Sequence, residues 1–146
     1  MSDAARVRTL VVEDEPLARA ELCALLAEHP WLEVVDAAGD GASAIARLDA
    51  LEPELLLLDV HLPECSGLDV LERTRAEPAV IFTTAYDRHA VAAFELGALD
   101  YLLKPFGRER LAAALERARG RLRSAPAGAT GQGDGAVGGA APRPPG

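Results

Sequence analysis

Short apolar runs alternate along the chain with longer segments in which apolar residues recur at helical spacing. Runs of this length and composition are typical of strands in a buried sheet. The run Leu55–Leu58 reads LLLL and is apolar on both faces, as expected of a strand in the middle of a parallel sheet. The predicted strands are Val7–Val12, Glu33–Ala37, Leu55–Leu58, Ala79–Thr83 and Tyr101–Leu103.

A helix is predicted after each strand. Pro16 suits the first helical position, where its missing N–H costs nothing, and Asp87 can cap another helix. Strands that alternate with helices predict an α/β fold with a parallel sheet, helices on both faces and right-handed crossovers. The predicted helices run from Pro16 to before Pro30, through Ile45 to before Pro53, over Gly67–Arg75, from Asp87 to Gly97, and from about Arg108.

The C-terminal segment differs in composition from the rest of the chain. Residues 125–146 hold 7 of the chain's 13 glycines and 4 of its 10 prolines, and Val137 is their only large aliphatic residue. So little apolar surface cannot offset the entropy lost on ordering the segment. We therefore expect one folded domain over residues 4–124, followed by a flexible Gly/Ala/Pro-rich linker or tail over residues 125–146.

Charge is distributed unevenly. The formal net charge is −8. Residues 108–123 hold six arginines and two glutamates, a local charge of +4, and residues 124–146 sum to zero, so residues 1–107 carry −12. An acidic body argues against nucleic-acid binding by this domain, and the Arg-rich segment is more simply a solvated helix face. Cys23 and Cys65 lie in no disulfide or metal-ligand pattern. No apolar run near the N-terminus suits a signal peptide or membrane span, so we expect a cytoplasmic protein that does not bind membranes.

Polar residues follow four of the five predicted strands. They are Glu13 and Asp14, Asp59, Thr84, and Lys104, which is the only lysine in the chain. Ligands of open parallel sheets bind beyond the carboxyl ends of the strands, so these side chains are expected to converge on one pocket. A lone lysine there fits a point-charge role, although chance placement is equally compatible with its position.

The carboxylates in such a pocket predict a bound cation. At a separation of about 4 Å, two like charges near a surface repel by about 4 kcal/mol. Oxygen ligands with several retained waters are what Mg²⁺ prefers. Magnesium beside a carboxylate suggests phosphoryl transfer, with Asp59 as nucleophile, Lys104 paired with the phosphoryl group or with Asp59, and the Thr84 hydroxyl as a hydrogen-bond donor.

Four segments resemble the receiver domains of bacterial two-component response regulators. They read LVVEDEPLARAEL, LLLLDVHLPECSGLDVL, VIFTTAY and ALDYLLKPF, and the resemblance covers residues 7–123. The segments PLARAEL, TTAYDRHAVAAFELGALDYLLKPF and ERLAAALER further resemble receivers that precede a LytTR-type DNA-binding domain, the LytR/AlgR group. The resemblance implies a flavodoxin-like (βα)5 doubly wound sheet of five parallel strands in the order 2-1-3-4-5.

The resemblance also implies a metal site and a phosphate acceptor. Glu13 and Asp14 match the acidic pair that binds Mg²⁺ (or Mn²⁺), and the His61 carbonyl would complete the metal shell. Asp59 matches the residue that accepts phosphate from a phosphohistidine on a sensor histidine kinase.

A switch is implied at the ends of the last two strands. Thr84 and Tyr101 match a pair in which the hydroxyl turns toward the phosphate and the ring follows it inward. Lys104 matches the phosphate-binding lysine, and the Lys104-Pro105 peptide bond is expected to be cis. One departure from the family pattern is Glu64-Cys65, where relatives more often have glycine and an aliphatic residue, so the loop shape beside Asp59 is left open.

Partners follow from the same resemblance. Phosphorylation is expected to drive homodimerisation through the fourth predicted helix, the fifth strand and the last helix, with acidic Asp87, Glu95 and Asp100 near four arginines of the last helix. DNA would be bound only through a C-terminal domain that this chain lacks.

Other functions remain open at this point. A stand-alone receiver or a phosphorelay shuttle would share the same pocket. A magnesium-dependent phosphatase commonly has a second acid two residues after its nucleophile, where this chain has His61. Nucleotide binding is disfavoured because neither glycine-rich phosphate-binding motif is present.

Overall fold

The structure of the chain is a computed structural model that describes residues 6–85 and 97–124. The strands are β1 (Val7–Val12), β2 (Leu32–Ala38), β3 (Leu55–Asp59), β4 (His61–Leu62), β5 (Cys65–Ser66), β6 (Ala79–Thr84) and β7 (Asp100–Leu103). The helices are α1 (Pro16–Leu26), α2 (Gly41–Leu51), α3 (Gly67–Arg73) and α4 (Arg108–Ser124). The helix predicted from Asp87 and the tail predicted over residues 125–146 lie outside the described residues.

Five of the strands form one parallel sheet in the order β2-β1-β3-β6-β7. Counting only these strands, the order is 2-1-3-4-5, so the predicted flavodoxin-like α/β fold is confirmed. The central strand, β3, is buried at every position, which explains its uninterrupted leucines. Among the described residues, no helix is long and apolar enough to cross a membrane.

Two hydrophobic layers cover the two faces of the sheet. Leu56 and Leu58 of β3 pack with α2 and α3, whereas Leu55 and Leu57 pack with α1 and α4. This alternation follows from the two-residue period of a strand, which sends successive side chains to opposite faces. The same alternation determines on which side of the sheet the side chain of each residue at its carboxyl edge lies.

The predicted element boundaries differ from the observed ones by one to three residues, and the largest difference is at α1, which ends at Leu26 rather than just before Pro30. Helix α3 also ends early, at Arg73 rather than Arg75. Asp49 of α2 accepts hydrogen bonds from the Thr74 hydroxyl at 2.6 Å and from the Arg75 backbone N–H at 2.9 Å. These bonds hold the chain out of the helix, because the backbone groups are satisfied elsewhere.

A short antiparallel hairpin, β4–β5, follows Asp59 and was not predicted. Each of its strands has two residues, too few to show a period in the sequence. Glu64 in its turn has φ of 71°, a left-handed conformation that favours glycine. The departure noted at Glu64 therefore coincides with a backbone position where a glycine would be less strained.

Candidate functional site

Three carboxylates meet at the carboxyl edge of the sheet. Glu13 and Asp14 follow β1, and Asp59 ends the neighbouring β3. Each contributes one carboxylate oxygen to a group whose members lie within 4.8 Å of one another. Glu13 and Asp59 are only 2% and 3% exposed, whereas Asp14 is exposed to solvent. The convergence expected from the strand ends is therefore present.

Lys104 reaches into this group from the end of β7. Its Nζ donates to Glu13 Oε1 at 2.7 Å and to Asp59 Oδ2 at 3.0 Å. Burial alone would lower the pKa of Lys104, but the hydrogen bonds and charges of Glu13 and Asp59 outweigh burial and raise it. The group is therefore an ammonium ion. The contact with Asp59 is one of the two pairings expected for Lys104, and the contact with Glu13 is additional.

The backbone around Lys104 is tied to the neighbouring strand. Its N–H donates to the Thr84 carbonyl at 2.6 Å, and the Lys104-Pro105 peptide bond is cis. Thr84 is fully buried, and Tyr101 is half-buried against the core layer of α2 and α3. Tyr101 pairs with Phe82, two residues before Thr84, so Thr84 and Tyr101 lie on the same face of the sheet.

The hairpin that follows β3 contributes a hydrogen bond to the Asp59 carboxylate. The His61 backbone N–H donates to Asp59 Oδ1 at 3.0 Å, and the residue is exposed to solvent. Gly67 is bound by its N–H to the Val60 carbonyl at 2.7 Å. A Cβ at Gly67 would lie 2.5 Å from the Asp59 carbonyl oxygen, so only glycine allows this close approach.

The sequence prediction missed Arg19, which holds the acidic loop, and the neighbouring Gly39. Arg19 of α1 donates from Nη1 to the Glu13 carbonyl at 2.7 Å. A Cβ at Gly39 would lie 2.8 Å from the same guanidinium nitrogen. The backbone that carries Glu13 and Asp14 is thus held by a side chain six residues further on. An arginine one turn into a helix gives no such signal by itself, because its target depends on the tertiary fold.

The donor set suits a divalent cation that takes oxygen ligands. Three carboxylates and one ammonium leave two negative charges uncompensated within the group. A cation of charge two would balance them, and carboxylates with retained water are the usual ligands of Mg²⁺. Within the described residues, no histidine or cysteine joins this group, so the chemistry of the site is not that of zinc.

The sequence over residues 9–116 matches the family described as the response regulator receiver domain. The chain belongs to this family. This receiver is 41% identical over 115 residues to the sensory transduction protein LytT of Enterococcus faecalis, covering 77% of this chain and 48% of the relative. It is 41% identical over 116 residues to the positive alginate biosynthesis regulatory protein of Pseudomonas aeruginosa, covering 77% and 47%. These relatives confirm the predicted resemblance to the LytR/AlgR group.

Solved structures agree with the family. The response regulatory domain of protein mrkE from Klebsiella pneumoniae is 32% identical, with a TM-score of 0.73 and coverage of 80% of this chain and 98% of that one. The response regulator domain of Thermotoga maritima CheB is 26% identical, with a TM-score of 0.73 and coverage of 83% and 99%. The chain thus matches whole receiver domains, but it spans about half the length of the curated relatives.

Proposed function

We propose that this receiver accepts a phosphoryl group on Asp59 from a phosphohistidine of a sensor histidine kinase. The observation that carries the proposal is the setting of Asp59. Its side chain is 4% exposed, yet it is held by the Lys104 ammonium and the His61 N–H beside two further carboxylates. Like charges gathered in this way suit a site that binds a cation and an anionic substrate group together.

In the transfer step, an oxygen of Asp59 forms a bond to phosphorus as the P–N bond of the phosphohistidine breaks. The imidazole nitrogen retains the electron pair of that bond and takes a proton from water. Asp59 becomes an acyl phosphate. Lys104 lies 3.0 Å from the attacking carboxylate, so its ammonium is placed to offset the negative charge on the incoming phosphoryl oxygens.

Glu13, Asp14 and Asp59 would hold Mg²⁺ (or Mn²⁺), which offsets charge on the phosphoryl oxygens as they approach. Glu13 also keeps Lys104 in the pocket through the 2.7 Å contact. Glu13 and Asp59 are buried, so the exposed Asp14 marks the side of the group that is open to solvent. The His61 carbonyl is proposed as a further metal ligand.

We propose that phosphorylation is transmitted through β6 and β7. Thr84 would turn toward the phosphoryl group, and Tyr101 would move inward after it. The two residues lie on one face of the sheet, and the Lys104 N–H joins β7 to the Thr84 carbonyl at 2.6 Å. A displacement of either strand end is therefore passed to the other, which suits a two-state switch.

The output is proposed to be transcriptional, in the cytoplasm, through a LytTR-type DNA-binding domain beyond residue 146. Two observations support this: the relatives include regulatory proteins, and this chain spans about half of their length. Homodimerisation on phosphorylation is proposed to use the surface formed by β7, α4 and the helix predicted from Asp87. Light scattering that shows the same mass before and after phosphorylation would rule out this dimer.

The test of the proposed function is intact-mass spectrometry after incubation with acetyl phosphate, with magnesium or with EDTA. The receiver should gain the mass of one phosphoryl group only with magnesium, and Asp59→Asn should gain none. Asp49→Asn is the matched control, because Asp49 is an exposed helical aspartate remote from the pocket, and this variant should gain the group normally. A folded wild-type protein that gains no mass under any condition would contradict the proposal.

A further inference from the structure

Thr83 carries a buried hydroxyl with no hydrogen-bond partner among the described residues. The residue is 1% exposed. By contrast Thr9, which is also fully buried, donates its hydroxyl to the Val7 carbonyl at 3.1 Å. Buried hydroxyls are nearly always satisfied in folded proteins, so an unsatisfied one near a candidate site calls for a functional explanation.

The register between β3 and β6 places Thr83 beside Asp59, the proposed phosphate acceptor. Asp59 of β3 and Thr83 of β6 are direct partners across the sheet. Leu57 and Ile81, two residues before each of them, both pack in the layer beneath α1 and α4. Strand alternation therefore puts Asp59 and Thr83 on that same face, where side chains of paired residues are neighbours.

The Asp59 carboxylate has other donors in this structure. Oδ1 accepts from the His61 N–H, and Oδ2 accepts from Lys104 Nζ. Lys104 is shared with Glu13 and its side chain is 28% exposed, so it is the donor best able to leave Asp59 for an incoming anion. Once it leaves, Oδ2 needs another donor, and the neighbouring Thr83 hydroxyl has no partner in the described part of the chain.

We propose that Thr83 is a positioning residue for Asp59 in the phosphorylated state. Its hydroxyl is unpartnered while Lys104 holds Asp59, and it donates to the Asp59 carboxyl group when Lys104 moves to the phosphoryl oxygens. The inference rests on the proposed function and adds a residue to it. Thr83 thereby favours the phosphorylated state without stabilising the unphosphorylated one.

The experiment measures urea unfolding midpoints in magnesium alone and in magnesium with beryllofluoride, a phosphoryl analogue that binds a carboxylate reversibly. Thr83→Val removes the hydroxyl and keeps the shape of the side chain. Its midpoint in magnesium alone should equal or exceed that of wild type, because an unsatisfied buried hydroxyl is replaced by a methyl group. Its affinity for beryllofluoride, obtained from the added stability, should fall roughly three- to ten-fold, the worth of one hydrogen bond.

Two controls separate this role from packing. Thr83→Ser keeps the hydroxyl and loses a methyl group, so it should lower the midpoint in magnesium alone and retain wild-type affinity for beryllofluoride. Thr9→Val removes a satisfied buried hydroxyl on β1 and should show the same pattern as Thr83→Ser. Unchanged affinity in Thr83→Val, or reduced affinity in Thr83→Ser, overturns the role of Thr83 while the proposed function stands. A wild-type receiver that gains neither stability from beryllofluoride nor mass from acetyl phosphate overturns both.

Discussion

Two clusters of ion pairs in this receiver have similar distances and different surroundings. In the pocket, Lys104 lies 2.7 Å from Glu13 and 3.0 Å from Asp59, whose side chains are 3% and 4% exposed. On α4, Arg108 lies 2.7 Å from Glu28, and both side chains are at least 45% exposed. Arg110 of α4 lies 2.8 Å from Asp100, which is mostly buried.

Charge balance distinguishes the clusters more than distance does. Each α4 pair is bidentate, with two guanidinium nitrogens on two carboxylate oxygens, so neither Arg108–Glu28 nor Arg110–Asp100 leaves a carboxylate in need of a cation. The pocket has one ammonium for three carboxylates. An incomplete cluster of this kind is suited to binding, whereas a complete one stabilises the fold.

The contacts of the α4 arginines also refine the interpretation of the Arg-rich segment as a solvated helix face. Arg108 and Arg110 are exposed but engaged in pairs within the chain, and Arg119 lies over the Trp31 ring at 5.2 Å from its centroid. Asp87 and Glu95, which were expected to lie near these arginines, are outside the described residues. Much of the positive charge of α4 therefore tethers the helix to the rest of the domain.

The largest effect is expected from Lys104→Met, which leaves the pocket carboxylates without their cation. Removing one partner from a buried pair usually costs about 3–5 kcal/mol. We expect a loss of about 2–4 kcal/mol in the free energy of unfolding in EDTA, because the Lys104 side chain is 28% exposed. Millimolar Mg²⁺ should recover part of the loss, because it supplies the missing positive charge. Urea unfolding with and without Mg²⁺ measures both. An equal loss under the two conditions would show that Lys104 acts through packing alone.

A smaller effect, with a defined pH dependence, is expected from Asp100→Asn. Burial tends to raise the pKa of Asp100, but the hydrogen bonds from Arg110 and the Tyr101 N–H outweigh it and lower the pKa below its ordinary value of 3.8. A carboxylate with a lowered folded-state pKa contributes stability above the unfolded-state pKa and loses it as the pH falls through the folded-state value.

Asp100→Asn should therefore cost about 1–2 kcal/mol at neutral pH, as expected for charge-assisted hydrogen bonds. The difference from wild type should stay constant down to about pH 4 and shrink below it. Denaturant unfolding of both proteins across this range is the measurement. A difference that persists unchanged at the lowest pH where the fold survives would mean that the ionised carboxylate is not the stabilising form.

The sheet and most of the pocket could be predicted because their signals are local. A strand buried on both faces is a continuous apolar run, as at Leu55–Leu58, and the polar residue after it marks the edge of the sheet. Once five such units are recognised, parallel topology brings Glu13, Asp59 and Lys104 together, although Glu13 and Lys104 are 91 residues apart.

The remaining features could not be predicted because they depend on tertiary contacts, and the segments that make these contacts have no distinctive sequence pattern. Arg19 binds the Glu13 carbonyl and its guanidinium passes close to Gly39, but the packing of α1 against the loop after β2 decides that contact. Thr83 looks like an ordinary strand residue until the register pairs it with Asp59. The left-handed Glu64 could be suspected only because relatives more often have glycine there.

The smallest effect is expected for the exposed pair on α4. Arg108→Ala, Glu28→Ala and the double variant form a thermodynamic cycle whose coupling should be smaller than that of the corresponding Arg110–Asp100 cycle. Both members of the Arg108–Glu28 pair are solvated, so holding two long side chains together costs entropy that offsets much of the attraction. At about 1 M salt, where the screening length is roughly 3 Å, the coupling should vanish. A salt-resistant coupling as large as that of Arg110–Asp100 would mean that bidentate geometry, rather than burial, sets the strength of ion pairs in this domain.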